Sequence, residues 1–201
     1  RNGRLGNSLF QTATTVAYAL DHGKSCLFPE WEYNKFLNTP LPVGGIEGQK
    51  TVLAETSFSF TPLPLVDGDV DITGYRQSWR YFDHHRERIL KLFELRPDIE
   101  AYVQYESLLL MKRCQHLCSI HVRRGDYLSN PETNAYHGVL PIEYYMDAVD
   151  YLYGNDLNGV LFHVFSDDAP YCRESFRFLP NAVFSDGQPD IVDLYLMACC
   201  Q

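Results

Sequence analysis

Arg123 and Arg124 stand side by side in the stretch Cys118-Ser-Ile-His-Val-Arg-Arg-Gly-Asp-Tyr127, within a chain whose net charge is −9. Two adjacent cations in an acidic protein need anions to face. A guanidinium fork matches phosphate oxygens in a bidentate way, so the chemistry suggested is capture of a phosphate-bearing ligand. The residues just before them alternate, with Ile120 and Val122 apolar, as a buried strand does. That strand delivers His121, Arg123 and Arg124 to Gly125. Ligands of an open α/β sheet bind beyond the carboxyl ends of its strands, and that is where these residues fall. The plainer alternative is a surface ion-pair cluster with Asp126 as internal partner, the usual fate of exposed charges. Arg124-Gly125-Asp126 also spells a cell-adhesion tripeptide, but a strand end inside an α/β pattern is not a flexible exposed loop.

Other residues invite a chemical reading. Residues 1–7 run Arg-Asn-Gly-Arg-Leu-Gly-Asn just ahead of a helical pattern. Gly3, Gly6 and Asn7 thus suggest a tight turn that brings backbone N–H groups to an anion at a helix N-terminus. Ser166, Asp167 and Asp168 follow a second apolar strand, again at a carboxyl edge; Asp168 can equally cap the next helix, with Pro170 in its first turn. His84-His85 resembles half a metal site, but neighbours diverge on a helix, so a solvated pair is expected. Asp67, Asp69 and Asp71 open like a calcium loop and then fail, with Ile72 and Ser78 where glycine and glutamate are needed. The six cysteines form no zinc-type pairs and read as buried free thiols.

The elements that must position these groups follow from periodicity. A helix carries Phe10, Ala13, Ala17 and Leu20 and ends at Gly23; Lys24 to Phe28 then reads as a strand. Residues 29–70 are rich in Pro and Gly and read as loops, with one strand near Thr51 to Glu55. A strand from Asp71 to Tyr75, a helix over Tyr81 to Phe93 and a helix from Pro97 to about Arg113 come next. Beyond a boundary placed near 113–117 the pattern is β-α-β-α-β-α. Ile142, Tyr145, Met146, Val149, Leu152 and Tyr153 follow a helical stripe, so they are core. Strands are expected over 118–122, 159–165 and 182–184, His163 being a core or interface histidine. A last helix starts at Pro189. Such alternation means a parallel sheet with helices on both faces. An acidic chain argues against general nucleic-acid binding. No apolar run approaches the roughly 18 residues of a membrane span.

Four blocks in this order carry a family resemblance. His121-Val-Arg-Arg-Gly-Asp-Tyr127 resembles the His-x-Arg-Arg-x-Asp signature of the α-1,2-fucosyltransferases, glycosyltransferase family 11. Gly3-Arg-Leu-Gly-Asn7-x-Leu9-Phe10-Gln11 is similar to that family's N-terminal glycine motif. Gly74-Tyr-Arg-Gln-Ser78-Trp79 is similar to its Gly-Tyr-x-Gln-Ser segment, and Phe165-Ser-Asp-Asp168 to its Ser-Asp-Asp block. The resemblance implies a GT-B architecture of two Rossmann-like domains facing a cleft, here 1–115 on the acceptor side and 116–201 holding the nucleotide sugar. It implies transfer of L-fucose from GDP-β-L-fucose to a galactose 2-hydroxyl of a glycan, with inversion and without a metal.

Under that resemblance Arg123 contacts the diphosphate, and Arg124 pairs with Asp126 to hold the loop or assists. His121 contacts the nucleotide. Gly3, Gly6 and Asn7 offer donors to the phosphates or fucose. Ser166 belongs to the donor site, and Asp167 or Asp168 accepts from guanine or ribose. Asp126 is the carboxylate nearest the chemistry, as base or as orienter. The family's opening strand and its late motif would lie before Arg1 and after Cys200, so a piece of a longer enzyme is expected. Its setting is cytoplasmic or membrane-associated, with peripheral membrane contact, or Golgi if eukaryotic. The competing classes are a transferase for another nucleotide sugar and a non-catalytic GDP-binding domain.

Overall fold

The computed structural model describes residues 3–200. Arg1 and Asn2, which open the glycine turn, lie outside the described residues. The chain divides into two compact units, residues 1–100 and 101–201. The division falls near the start of a helix, earlier than the boundary expected near 113–117.

In the first unit α1 spans Leu5–Asp21. Leu5, Ser8, Thr12, Ala13, Ala17 and Tyr18 are buried along it, at the three- and four-residue spacing that puts side chains on one helical face. Arg4 is its N-cap residue and supplies no side-chain cap. The helix closes at Gly23, where the Lys24 amide bonds Ala19 O at 2.8 Å. Two short strands, β1 (Thr51–Leu53) and β2 (Val70–Ile72), pair in parallel with Thr51 opposite Val70.

Two expectations fail in this unit. Lys24 to Phe28 forms no strand; it makes a single parallel bridge, Phe28 to Val43. Its last residue bonds instead to the loop that follows, the Phe28 amide donating to Pro42 O at 2.9 Å and its carbonyl accepting from the Gly44 amide at 2.9 Å, and a cavity of about 420 Å³ lies between Leu27–Phe28 and Val70–Ile72. The helix expected over 81–93 is also shorter. Trp79–Tyr81 and Asp83–His85 are 3-10 turns, and only Arg86–Leu92, α2, is α-helical. Phe82 breaks the run with φ −140° and ψ −1°.

The second unit takes in all but the first turn of α3 (Pro97–Met111), then β3 (His116–Val122), α4 (Gly125–Ser129), α5 (Pro131–His137), α6 (Ile142–Tyr153), β4 (Val160–Ser166), α7 (Ala169–Ser175), β5 (Ala182–Phe184) and α8 (Asp190–Ala198). The short helices α4 and α5 carry no periodic signal and are not anticipated from the sequence. The sheet is parallel in the order β3-β4-β5. Strand alternation sorts its two faces. Ile120, Val122, Val160, Phe162 and Val164 pack with Tyr145 and Val149 of α6 and with Cys172 and Phe176 near α7. Leu117 and Leu161 face the other way, against Leu110 of α3 and Cys200 beyond α8. Helices therefore cover both faces, as the alternation predicts. Phe162, Phe165, Phe176 and Ile191 are at most 1% exposed. Each such burial contributes about 1.5–3 kcal/mol, enough to hold β3 and β4 in one register. His163 is a core histidine: burial pushes its pKa down to about 4.

Candidate active site

Register brings the second unit's charged residues together. Val122 stands opposite Ser166, so β3 and β4 end side by side and Arg123 and Asp167 leave the sheet next to each other. The Ser166 hydroxyl donates to Val122 O at 2.8 Å and accepts from the Asp168 amide at 2.9 Å, joining the two strand ends. Asp167 Oδ1 then accepts from the amides of Arg124 (2.9 Å) and Gly125 (3.0 Å). Its Oδ2 lies 2.9 Å from Arg123 Nη1. The other amino group, Arg123 Nη2, meets Asp126 Oδ1 at 2.7 Å. Gly125 is required by this packing: a Cβ there would lie 2.8 Å from Asp167 Oδ2.

Arg124 is held differently. Its Nε meets Asp168 Oδ2 at 3.0 Å, and its guanidinium carbon lies 3.4 Å from the centre of the Tyr171 ring. Asp168 Oδ1 meanwhile accepts from the Tyr171 amide at 3.2 Å and caps α7. Among the described residues, Nη1 and Nη2 of Arg124 have no protein acceptor. The expected Arg124–Asp126 pair is therefore replaced by two others, Arg123–Asp126 and Arg124–Asp168. The cause is geometric: Arg123 and Asp126 are three apart across the first turn of α4, while the sheet register sets Asp168 beside Arg124. Asp167 and Asp168, expected to accept from guanine or ribose, spend carboxylate oxygens on the arginines and on backbone amides while staying 26% and 30% exposed.

The electrostatics follow from these contacts. Burial alone would raise the Asp167 pKa, but the amides of Gly125 and Arg124 and the Arg123 cation outweigh it and hold the carboxyl below its usual range. Asp167 is thus a fixed anion that clamps Arg123. Two arginines face three aspartates, so the cluster is not a bare positive patch. An anionic ligand must use the N–H groups left over, since a guanidinium has five and Arg123 spends two in its ion pairs with Asp126 and Asp167. His121 projects from the opposite face of β3 to Ile120 and Val122 and is accessible. Desolvation and the Arg123 cation depress its pKa, against the pull of Asp167 and Asp193. Asp193 of α8 has a raised pKa, from burial first and Asp190 next, although the Ser185 hydroxyl bonds its carboxylate.

The first unit gathers its own motifs at the carboxyl edge of β1 and β2. Gly3 has φ +78°, and a Cβ there would overlap the Asn7 side chain. Asn7 Oδ1 accepts from Gln77 Nε2 of the Gly74–Ser78 segment. Glu55, just past β1, braces that segment: its oxygens accept from the amides of Tyr75 (2.7 Å) and Arg76 (2.9 Å). Arg76 is buried with φ +53°, and its Nη2 donates to Leu53 O at 2.6 Å. Around Gly6 a Cβ would meet nothing within 4 Å. Glu55 and Tyr171 are the residues sequence reasoning missed. Glu55 could have been found as a carboxylate just past a strand end, and Tyr171 as the residue three after a capping aspartate.

Comparison with known proteins settles the family. A family model described as Glycosyl transferase family 11 matches residues 48–201. The chain belongs to glycosyl transferase family 11. Within this family it is 30% identical over 188 residues to an alpha-1,2-colitosyltransferase of Escherichia coli, covering 90% of this chain and 61% of the relative. It is 27% identical to galactoside alpha-(1,2)-fucosyltransferase 2 of Rattus norvegicus, covering 87% of this chain and 52% of that protein. The family 11 chain thus spans only about half to three-fifths of these relatives' length. Among solved structures it resembles fucosyltransferase NodZ from Bradyrhizobium, with a TM-score of 0.59 at 12% identity, covering 99% of this chain and 79% of that one. NodZ alpha-1,6-fucosyltransferase co-crystallized with GDP superposes with a TM-score of 0.59 over 98% of this chain and 80% of that one. At that identity the likeness is one of fold, the α/β GT-B type expected from the sequence.

Proposed function

We propose that this chain is the nucleotide-sugar-binding part of an inverting, metal-independent glycosyltransferase that moves L-fucose from GDP-β-L-fucose to a galactose 2-hydroxyl of a glycan. The observation that carries the reading is the pair of arginines held at the carboxyl edge of β3 and β4. In the transfer, the bond from the sugar C1 to the β-phosphate oxygen breaks while the acceptor hydroxyl oxygen bonds to C1 from the opposite face and gives up its proton, for which Asp126 is the candidate acceptor. Charge builds on the departing diphosphate. Arg123, fixed by Asp126 and Asp167, and Arg124, with two uncommitted amino groups, supply cations already in place. Groups preorganised in this way stabilise developing charge without reorganising as the bond breaks. That is the service a metal ion would otherwise perform.

Asp126, Asp167 and Asp168 then hold the two arginines in place, with Asp126 also the candidate base and Asp167 or Asp168 the candidate acceptor from guanine or ribose. Gly3, Gly6 and Asn7 offer a second donor surface at the start of α1, where no acidic residue occupies the first turn. Glycine at 6 weakens a helix for no internal reason. A ligand close to the backbone there would account for it.

A second donor is favoured by one specific comparison: the Escherichia coli relative at 30% identity is named for colitose. The arginines recognise diphosphate and not the sugar, so either sugar fits the same cation pair. The test is thermal-shift titration with GDP, UDP and GDP-fucose, followed by turnover with GDP-fucose and a galactoside. GDP selectivity with fucosyl transfer is expected. Arg123→Ala should lower kcat/KM by about 10²–10³ with an unchanged far-UV spectrum. Preference for UDP, or near-normal transfer by Arg123→Ala, overturns the proposal.

A further inference from the structure

Asp21, His84 and His85 converge at the end of α1 remote from the glycine turn. Asp21 is the last residue of α1, and the two histidines lie in the 3-10 turn that leads into α2. In an α-helix the adjacent imidazoles would diverge, as the sequence suggests. The tighter turn brings their ring centres to 4.5 Å instead. His84 Nε2 lies 3.1 and 3.0 Å from the two Asp21 oxygens, and His85 Nε2 lies 2.8 Å from Oδ1. One donor atom from each residue falls within 4.8 Å of the other two.

Two imidazole nitrogens and a carboxylate oxygen are the donor types that suit zinc and its first-row neighbours. Zinc binds such atoms at about 2.0–2.2 Å in tetrahedral array, which sets the donors about 3.3 Å apart. The histidine–aspartate separations of 2.8–3.1 Å lie within about half an ångström of that, and the two imidazole donors lie within 4.8 Å of each other, so side-chain rotation brings all three to an ion. An independent feature points the same way. The C-terminus of a helix carries partial negative charge and favours a cation. Here the last turn of α1 holds no basic residue and ends in an acid. His84 and Asp21 are 49% and 38% exposed, which leaves the fourth position open to water.

We propose that Asp21, His84 and His85 form a binding site for one divalent zinc-like ion, which ties the end of α1 to the turn before α2. With 17 residues in α1 the site stands about 25 Å along the helix from Gly3. The ion is therefore a strut in the first unit and takes no part in sugar transfer, so the inference does not depend on the donor proposed above.

The experiment titrates ZnCl2 calorimetrically into chelator-treated protein and records the visible spectrum after adding Co²⁺. One saturable site of micromolar or better affinity is expected, with d–d bands of a low-coordinate cobalt ion. His85→Ala and Asp21→Asn should each weaken binding at least tenfold and remove the bands, with melting in the absence of metal close to that of the wild type. His84→Ala serves as a second variant should either of those fail to fold. No saturable binding by the wild type, absent cobalt bands, or equal affinity in the histidine variants overturns the proposal and leaves a hydrogen-bonded Asp–His cluster.

Discussion

Gly125→Ala is the sharpest test of how the arginine pair is built. The new Cβ would lie 2.8 Å from Asp167 Oδ2 and 3.2 Å from its Cγ. Carbon and oxygen atoms cannot rest at 2.8 Å, so the carboxylate must retreat. It is pinned by the amides of Arg124 and Gly125 at 2.9 and 3.0 Å and by Arg123 at 2.9 Å. A retreat of about half an ångström carries these contacts to the edge of hydrogen-bonding distance. A hydrogen bond to a charged group contributes about 1.5–3 kcal/mol, and Asp167 is 26% exposed, which reduces the loss. Weakening three contacts by part of their strength gives about 2 kcal/mol of destabilisation. For a chain of this size that is a fall of about 4–8 °C in Tm.

The same substitution reverses its effect once the carboxylate is gone. In an Asp167→Ala background the Cβ meets no Oδ2, and alanine is the better helix former at the start of α4. Gly125→Ala should then be neutral or slightly stabilising. Urea unfolding of the four proteins of the cycle, followed by far-UV circular dichroism, yields the coupling energy. About 2 kcal/mol is expected, within the range seen for residues in direct contact. If the two changes add to within 0.5 kcal/mol, or if Gly125→Ala alone costs less than that, the close approach of Asp167 does not hold the site.

Two further outcomes follow from other elements. His163 has a folded pKa of about 4, depressed by burial from 6.5, so it contributes full stability above pH 6.5 and loses it as the pH falls toward 4. His163→Leu should flatten the pH dependence of the urea midpoint across that window by up to about 3 kcal/mol; an unchanged slope contradicts the buried neutral ring. Gly6→Ala should leave Tm level or raise it by a few degrees, because a first-turn glycine is a weak helix former and nothing lies within 4 Å of the new Cβ. If a sugar nucleotide approaches that backbone, the same variant binds GDP-fucose several-fold more weakly; unaltered affinity removes the start of α1 from the donor site.

Much of the fold is legible because hydrophobic periodicity is local. The alternation at Ile120 and Val122 and the apolar run from Val160 to Phe165 mark β3 and β4 without help from other residues. The stripe from Ile142 to Tyr153 does the same for α6. What escapes a single sequence is partner choice. Which carboxylate faces which arginine depends on a register between strands more than 40 positions apart, and that register is set by packing around Phe162 and Phe165. A reading confined to one stretch therefore pairs Arg124 with the nearby Asp126, whereas the sheet delivers Asp168.

The failures at 24–28 and 83–85 have the same origin. A strand needs a neighbour, and within 24–28 only Phe28 finds one, in its single bridge to Val43. A turn tightens to 3-10 geometry where tertiary contact demands it, and Phe82, at the break, packs its ring 5.8 Å from that of Phe10. In the turn that follows, both histidines meet Asp21, 63 and 64 positions away. In this chain the residue types at a site can be read along the sequence, since each element presents its own. The pairing that tunes them is only partly so: Arg123–Asp126 is local, but Arg123–Asp167 and Arg124–Asp168 cross between elements whose relative placement is decided by the core.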